Sequence, residues 1–252
     1  MEFLYNYNAL PFYNEEEIAF RQHITYMLSR RLFDLLKQSN RAWSMHQTEA
    51  PCLIPRHLTS SQYTNEDVWA LEHLDATKEE LVLKPETTSS SYVWAQQRLE
   101  HSLVAPPFVV WQLSKSFRRE QDQPTKHCRF KEFYQQEFQC LFSKDSACDY
   151  FSVIAPQMAK IFHEELSCPT RLVVCDRTPS YSQKTWDVEV WNSEKWMEVC
   201  SMSLRDDFPL VKSQNKTWEL LNFEIATSPD RLWYCKSKSV SSSSVSFENL
   251  VV

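Results

Sequence analysis

Residues 107–142, PFVVWQLSKSFRREQDQPTKHCRFKEFYQQEFQCLF, alternate apolar and polar side chains in two runs joined by a polar loop that holds Pro124. That alternation predicts an antiparallel β-hairpin. Its tip is heavily charged for a pair of strands. With successive side chains on opposite faces, Ser116, Arg118 and Glu120 share one face of the first strand, and Arg129, Lys131, Phe133, Gln135 and Glu137 share one face of the second. If these faces coincide, the sheet presents two arginines, an aromatic plate and two acids. Such a surface suits a nucleoside triphosphate: guanidinium forks grip phosphate oxygens, a phenyl ring stacks on a base, and carboxylates hold an ammonium group or Mg²⁺. A solvated sheet face laced with cross-strand ion pairs has the same composition, and periodicity does not separate the two.

The flanking sequence reads as α+β. NEEEIAFRQHITYMLSRRLFDLLKQS opens with Asn14 as N-cap and Glu17 three residues later, then places Phe20, Ile24, Leu28, Leu32 and Leu35 at helical spacing. TNEDVWALEHL, from Thr64, reads as a second helix, and ELVLKPETTSSSYVWAQQRLEH as a strand turning into a third. YFSVIAPQMAKIFHEEL is helical, with Pro156 pointing to a start later than its first residue. RLVVCDR, TWDVEVW, KWMEVCSMSL and LLNFEIAT alternate as strands, so the fold class is α+β, an antiparallel β-sheet flanked by helices. The expected organisation is one domain over residues 1–236 and a serine-rich tail over 237–252.

Composition limits the function classes. A net charge of −6 argues against a wholesale nucleic-acid binder but leaves room for a local RNA-facing surface. Eight cysteines without paired Cys/His spacing read as reduced core thiols. The N-terminus lacks a basic leader, and no run approaches the length of a membrane span, so a cytoplasmic protein without membrane contact is expected. Among 252 residues there is no glycine, where average usage of roughly 7% would supply about 18. Every glycine-rich phosphate loop is therefore excluded, and other residues must take the positive-φ positions that glycine normally fills.

Four ordered segments carry a resemblance. FRRE at 117–120 with RFKEF at 129–133 resembles motif 2 of the class II aminoacyl-tRNA synthetases. WSMHQTEAPCL resembles the end of motif 1, with Pro51 as its proline, and EIATSPDRL resembles motif 3, with its arginine at Arg231. LKPETTSSSY, through Pro85, Glu86, Thr87 and Thr88, resembles the RPET segment of the glycyl-tRNA synthetases. The likeness runs over roughly residues 15–235. It implies a six- or seven-stranded antiparallel sheet, ATP-dependent activation of an amino acid, and transfer to the tRNA acceptor end.

By the same resemblance, Arg118 holds the α-phosphate and the amino-acid carboxylate, and Glu120 meets the adenine amino group. Phe133 stacks on adenine, while Arg129 and Arg231 bind the outer phosphates. Arg118 and Arg231 are then the catalytic pair. Glu198 falls where the family places an acid that can hold Mg²⁺, and Glu224 where it places one that can hold substrate. Glu86, Thr88 and Glu137 shape a pocket for glycine or another small amino acid. Read without the resemblance, Glu198 and Glu224 are ordinary strand acids and Phe133 a core residue.

Departures from the family pattern fall where glycine is missing: serines follow the PET segment, and Ser228-Pro229 precede the motif 3 arginine, which puts the reach of Arg231 at issue. No anticodon-binding domain is expected from the residues after the motif 3 segment. Two functions remain in view. One is a minimal class II ligase, glycine--tRNA ligase-like; under this function or its alternative a homodimer through the motif 1 region is expected. The other is a synthetase-derived protein, impaired in catalysis, that binds ATP, RNA or a protein partner.

Overall fold

The computed structural model describes residues 6–7, 10–71, 80–119, 129–176, 178–213 and 216–239. Strands β1 (Asn6–Tyr7) and β2 (Leu10–Pro11) precede helix α1 (Glu15–Ser39). Next come β3 (Ser44–Gln47), β4 (Leu53–Pro55), a 3-10 turn at Arg56–Leu58, β5 (Trp69–Ala70), β6 (Leu81–Leu83) and helix α2 (Thr88–Glu100). The charged hairpin is β7 (Phe108–Phe117) and β8 (Glu132–Ser143). Helix α3 (Tyr150–Leu166), β9 (Thr170–Val174), β10 (Ser182–Trp191) and β11 (Trp196–Arg205) follow it. A small hairpin, β12 (Val211–Ser213) and β13 (Lys216–Trp218), then leads to β14 (Leu220–Thr227) and helix α4 (Pro229–Ser239).

Seven strands form the central sheet in the order β3-β7-β8-β14-β11-β10-β9. All neighbours pair antiparallel except β3, which runs parallel to β7 at one edge. That edge departs from the all-antiparallel expectation, and its partner lies across the whole of α2 in sequence, beyond the reach of local pattern. One face of the sheet is apolar: Val109, Phe138, Cys140, Phe223, Ile225, Met202 and Val188 pack with α1, α3 and α4 into the main core. The opposite face changes character along its length. At one end Phe108, Val110 and Leu141 lie under α2 with Tyr92, Ala95 and Leu99; beyond them Gln139, Glu137, Glu224, Ser203 and Arg205 line up as polar residues.

Local signals explain most elements. The Glu17 amide donates to Asn14 Oδ1 at 2.9 Å and the Asn14 amide to Glu17 Oε2 at 2.6 Å, the reciprocal cap that opens α1. Phe20, Ile24, Leu28 and Leu32 are buried as the spacing predicts, and Leu36 completes the stripe where Leu35 was expected. Two expectations are corrected. Helix α3 starts at Tyr150, capped by Asp149, and runs through Pro156, because burial of Phe151, Ile154 and Ala155 holds the turns around the proline against the core. Residues 64–71 form no helix: the Thr64 amide and hydroxyl both donate to Asp67 Oδ2, at 2.7 and 2.8 Å, and close a turn. Trp69 and Ala70 then pair with Leu83 and Val82, and Val68 is buried against Ile54 and Val82. Tertiary pairing outweighs helical propensity here; the remaining residues of that expected helix, 72–74, lie outside the described residues.

Serine fills positions that glycine usually takes. Ser102, Ser167 and Ser193 have φ of 56°, 54° and 76°, and Ser167 is the left-handed cap that ends α3. Helix α4 continues to Ser239, and most of the serine-rich tail lies outside the described residues.

Candidate active site

A cleft of about 190 Å³ opens on the polar face, floored by β8, β14 and β11 and roofed by the turn that carries Gln62 and Tyr63. Arg118, Arg129, Phe133, Glu86, Glu137, Glu224, Glu198 and Arg231 all line it. Residues scattered over the whole sequence are thus brought to one place. Thr88 adjoins the cleft through its contacts with two of the acids, whereas Glu120 lies outside the described residues.

Register places the hairpin residues. Ser116 stands opposite Phe133 and Gln112 opposite Glu137, so the two faces inferred from alternation do coincide. Regular strand ends at Phe117 and resumes at Glu132, leaving Arg118 and Arg129 on the segments beyond the ladder. The Arg118 amide still donates to Lys131 O at 3.0 Å, which anchors its side chain over the cleft. There Arg118 Nε donates to Pro85 O and Nη2 to Tyr63 Oη, both at 3.0 Å, and its guanidinium lies 5.2 Å from the centre of the Phe133 ring. Phe133 packs against the main core and also lines the cleft.

Helix α4 delivers Arg231. Pro229 is its first residue, where a missing N–H costs nothing and the fixed φ suits helix entry. The Ser228 carbonyl accepts from Leu232 at 3.0 Å to begin the helix. The Ser-Pro replacement therefore does not take the arginine away from the cleft. Arg231 Nη1 donates to the Glu198 carbonyl at 3.1 Å and stands 3.5 Å from Glu198 Oε1.

The inner end is acidic and closed. Glu86, Glu137 and Glu224 are all buried. Glu86 accepts from Gln62 Nε2 at 3.2 Å, while its Oε1 is buried without a hydrogen bond. Glu137 Oε2 meets the Thr88 hydroxyl at 3.0 Å, and Glu224 Oε1 meets the same hydroxyl at 3.2 Å. Arg205, buried at the end of β11, bonds Glu224 Oε2 and grips Asp207 through two nitrogens, at 3.0 and 2.6 Å. Its guanidinium lies 3.9 Å from the Tyr181 ring centre.

Burial raises the Glu137 pKa first, and the neighbouring Glu224 and Glu86 raise it further. Glu86 is raised by burial and by Glu224, with Arg205 and Arg118 opposing. Burial disfavours the charge on Arg205, but Glu224 and Asp207 more than offset this and its pKa lies above the ordinary value. Of the three carboxylates, Glu224 bonds the Arg205 guanidinium, which Asp207 also claims, and Glu86 feels both Arg205 and Arg118. A cation of ligand origin would complete the set.

Arg205 escaped the sequence reading, as did Tyr63, Gln62 and Tyr181. Alternation along SMSLR puts Arg205 on the face of Ser201 and Ser203, which was available as a signal; that Glu224 stands beside it required the β11–β14 register, in which Ser203 pairs with Glu224 and Arg205 with Asn222. Among the described residues no group of three His, Cys, Asp or Glu side chains gathers to hold a metal ion.

A mostly antiparallel sheet backed by helices, with a hairpin arginine and a helix-borne arginine lining one cleft with buried acids, is the arrangement that the resemblance to the class II aminoacyl-tRNA synthetases implied. Comparison with known proteins agrees: the family described as "tRNA synthetase class II core domain (G, H, P, S and T)" matches residues 63–221. The chain belongs to that family. It is 28% identical over 142 residues to the glycine--tRNA ligases of Mycoplasma capricolum and Mycoplasma mycoides, a match covering 54% of this chain and 31% of either ligase. Among solved structures, the Giardia lamblia prolyl-tRNA synthetase in complex with prolyl-adenylate superposes with a TM-score of 0.71 at 15% identity, over 94% of this chain and 49% of that one. The Cryptosporidium parvum prolyl-tRNA synthetase complexed with halofuginone and AMPPNP gives 0.67 at 13% identity, over 92% and 48%. The chain thus spans about a third of the curated relatives it matches and about half of the solved structures. Among the described residues no helix is long and apolar enough to cross a membrane.

Proposed function

We propose that this chain activates a small amino acid, glycine foremost, with ATP to form an aminoacyl-adenylate, and passes the aminoacyl group to the 3′ end of a tRNA. The observation that carries this reading is the polarity of a single cleft, with buried glutamates at one end and arginines at the other. In the proposed complex Glu86 and Glu137 receive the substrate ammonium while Thr88 and Glu224 close the pocket beneath it. Arg118, between the two ends, draws the amino-acid carboxylate against the α-phosphate. The carboxylate oxygen then bonds to the α-phosphorus as the bond to the departing pyrophosphate breaks, a step served by positioning and charge neutralisation with no protein nucleophile. Phe133 and Glu120 hold the adenine, and Arg129 and Arg231 the outer phosphates.

Mg²⁺ fits as a companion of the nucleotide. Its preferred site combines one or two carboxylates with substrate phosphates, and in this reading Glu198, half-exposed at the cleft beside Arg231, would supply the carboxylate. The ion would neutralise phosphate charge, while Arg231 and Glu198 orient one another. Within the same reading the protein is a cytoplasmic homodimer paired through the β3 region. Glycine is favoured over proline because the curated relatives are glycine ligases and because the acids and Thr88 crowd the inner end of the cleft.

The test is ATP–pyrophosphate exchange with each of the twenty amino acids, using Arg118→Ala as control. Exchange with glycine, abolished in the control, is expected. A folded chain that binds ATP or RNA yet exchanges with no amino acid would instead support the non-catalytic descendant.

A further inference from the structure

The Thr88 hydroxyl stands 3.0 Å from Glu137 Oε2 and 3.2 Å from Glu224 Oε1. A hydroxyl carries one hydrogen, and an ionised carboxylate accepts only. Both contacts are full two-centre hydrogen bonds, rather than one hydrogen split between two acceptors, only if one of the two carboxyl groups is itself protonated. Glu224 already has the positively charged Arg205 guanidinium on its other oxygen. Glu137 has, besides Thr88, Gln139 Nε2 at 3.4 Å. The proton therefore belongs on Glu137, which donates to Thr88 Oγ1 while Thr88 donates to Glu224 Oε1.

The surroundings agree. Glu86 and Thr87 face Glu137 from the turn into α2, Glu224 from β14, Lys84 from the end of β6, and Tyr63 and Tyr181 from the cleft wall. Arg118 lines the cleft with Arg129, Arg231, Glu198 and Asp230, and Arg205 bonds Glu224. Lys84, fully buried, donates to Ala50 O at 3.1 Å and Ser114 Oγ at 2.8 Å, and interacts with Glu137 through its charge. Burial and the two neighbouring glutamates push Glu137 up to about 8.

We propose that Thr88 is a positioning residue that couples Glu137 and Glu224 through one shared proton, and that the substrate ammonium enters by displacing this proton to solvent. The proposal rests on the reading that a small amino acid occupies the inner end of the cleft. On binding, the Glu137 O–H bond breaks, its proton leaves to water, and an ammonium N–H donates to the freed carboxylate. Substrate then replaces the missing cation, and only the ionised form of Glu137 is a competent acceptor.

Infrared difference spectroscopy of the ligand-free full chain at pH 7 should show a protonated-carboxyl C=O band that is missing from Glu137→Gln. Titration calorimetry with glycine, run in two buffers of different ionisation enthalpy, should show about one proton released per glycine at pH 7 and none near pH 9. In pyrophosphate exchange the KM for glycine should fall by about tenfold from pH 6 to pH 7 and level off above about pH 8. Thr88→Val should raise that KM with kcat little changed, and Thr88→Ser should restore it.

Absence of the carboxyl band from ligand-free protein overturns the proposal whether or not glycine binds. Glycine binding without proton release, or a Thr88→Val enzyme equal to the parent in KM, overturns it while leaving amino-acid activation standing. A folded chain whose cleft takes up no small amino acid overturns both.

Discussion

Glu224 and Glu198 are glutamates on adjacent strands, both lining one cleft and both paired to an arginine. The Glu224 side chain is 10% exposed and its partner Arg205 is 3% exposed, whereas the figures for Glu198 and Arg231 are 50% and 29%. The inner pair is desolvated and tied to Asp207 and Thr88 as well; the outer pair meets water. Similar chemistry thus carries different energetics. A buried pair that loses one partner leaves a charge stranded in low dielectric, while an exposed pair is screened and worth little. The inner end should therefore be set before ligand arrives and be sensitive for stability, and the outer end should be adjustable and sensitive for rate.

The sharpest way to break this comparison is Arg205→Met. It strands Glu224 and Asp207 and should cost about 3–5 kcal/mol in urea unfolding, with partial recovery when combined with Glu224→Gln. If Arg205→Met unfolds at the parent's midpoint, the inner end is not a stability element. Arg118→Ala ranks next and acts on the other quantity. It should lower the exchange rate by about 10²–10³-fold, the usual consequence of losing a preorganised donor to developing charge, while moving the unfolding midpoint little.

Asp230, buried like Glu224, stands at the start of the helix that carries Arg231. It accepts from the Tyr134 amide at 3.1 Å and the Tyr13 hydroxyl at 3.0 Å, and burial raises its pKa to about 6 despite these bonds. A carboxyl whose folded pKa is raised holds its proton more tightly in the folded state. Its contribution to stability therefore falls as pH rises from about 4 to about 6 and is level beyond. Asp230→Asn should remove that slope, visible as a pH-dependent difference between the two unfolding curves. Parallel curves for parent and variant would show that Asp230 titrates normally. Smallest of all, Glu198→Gln should change stability by less than about 1 kcal/mol and raise the KM for ATP severalfold through Mg²⁺ and Arg231. An equally large loss of stability in Glu198→Gln and Arg205→Met would erase the distinction between the two ends.

How far the chain could be read without coordinates follows from the range of each interaction. The Asn14–Glu17 cap, the stripe of α1 and the alternation of β7 and β8 are local, and all appear as expected save that Leu36 takes the place of Leu35. Alternation even put Phe133 and Glu137 on the face of Ser116. What escaped depends on partners distant in sequence. Trp69 and Ala70 become a strand because β6 offers an edge, and β3 runs parallel because β7 lies beside it. Arg205 looks like any strand-end arginine until Glu224 and Asp207 close around it. Motif resemblance supplied Arg118, Arg231 and the three glutamates, but it could not disclose that one hydroxyl joins two of them.

Direct binding of a non-hydrolysable glycyl-adenylate analogue, glycyl-sulfamoyl-adenosine, tests the central claim most directly, because the ligand spans both ends of the cleft. Calorimetry should give one site per chain, with affinity lowered at least about tenfold by Glu137→Gln at the inner end and by Arg118→Ala between the two ends. No binding to a folded chain, or binding that neither substitution affects, would contradict the account.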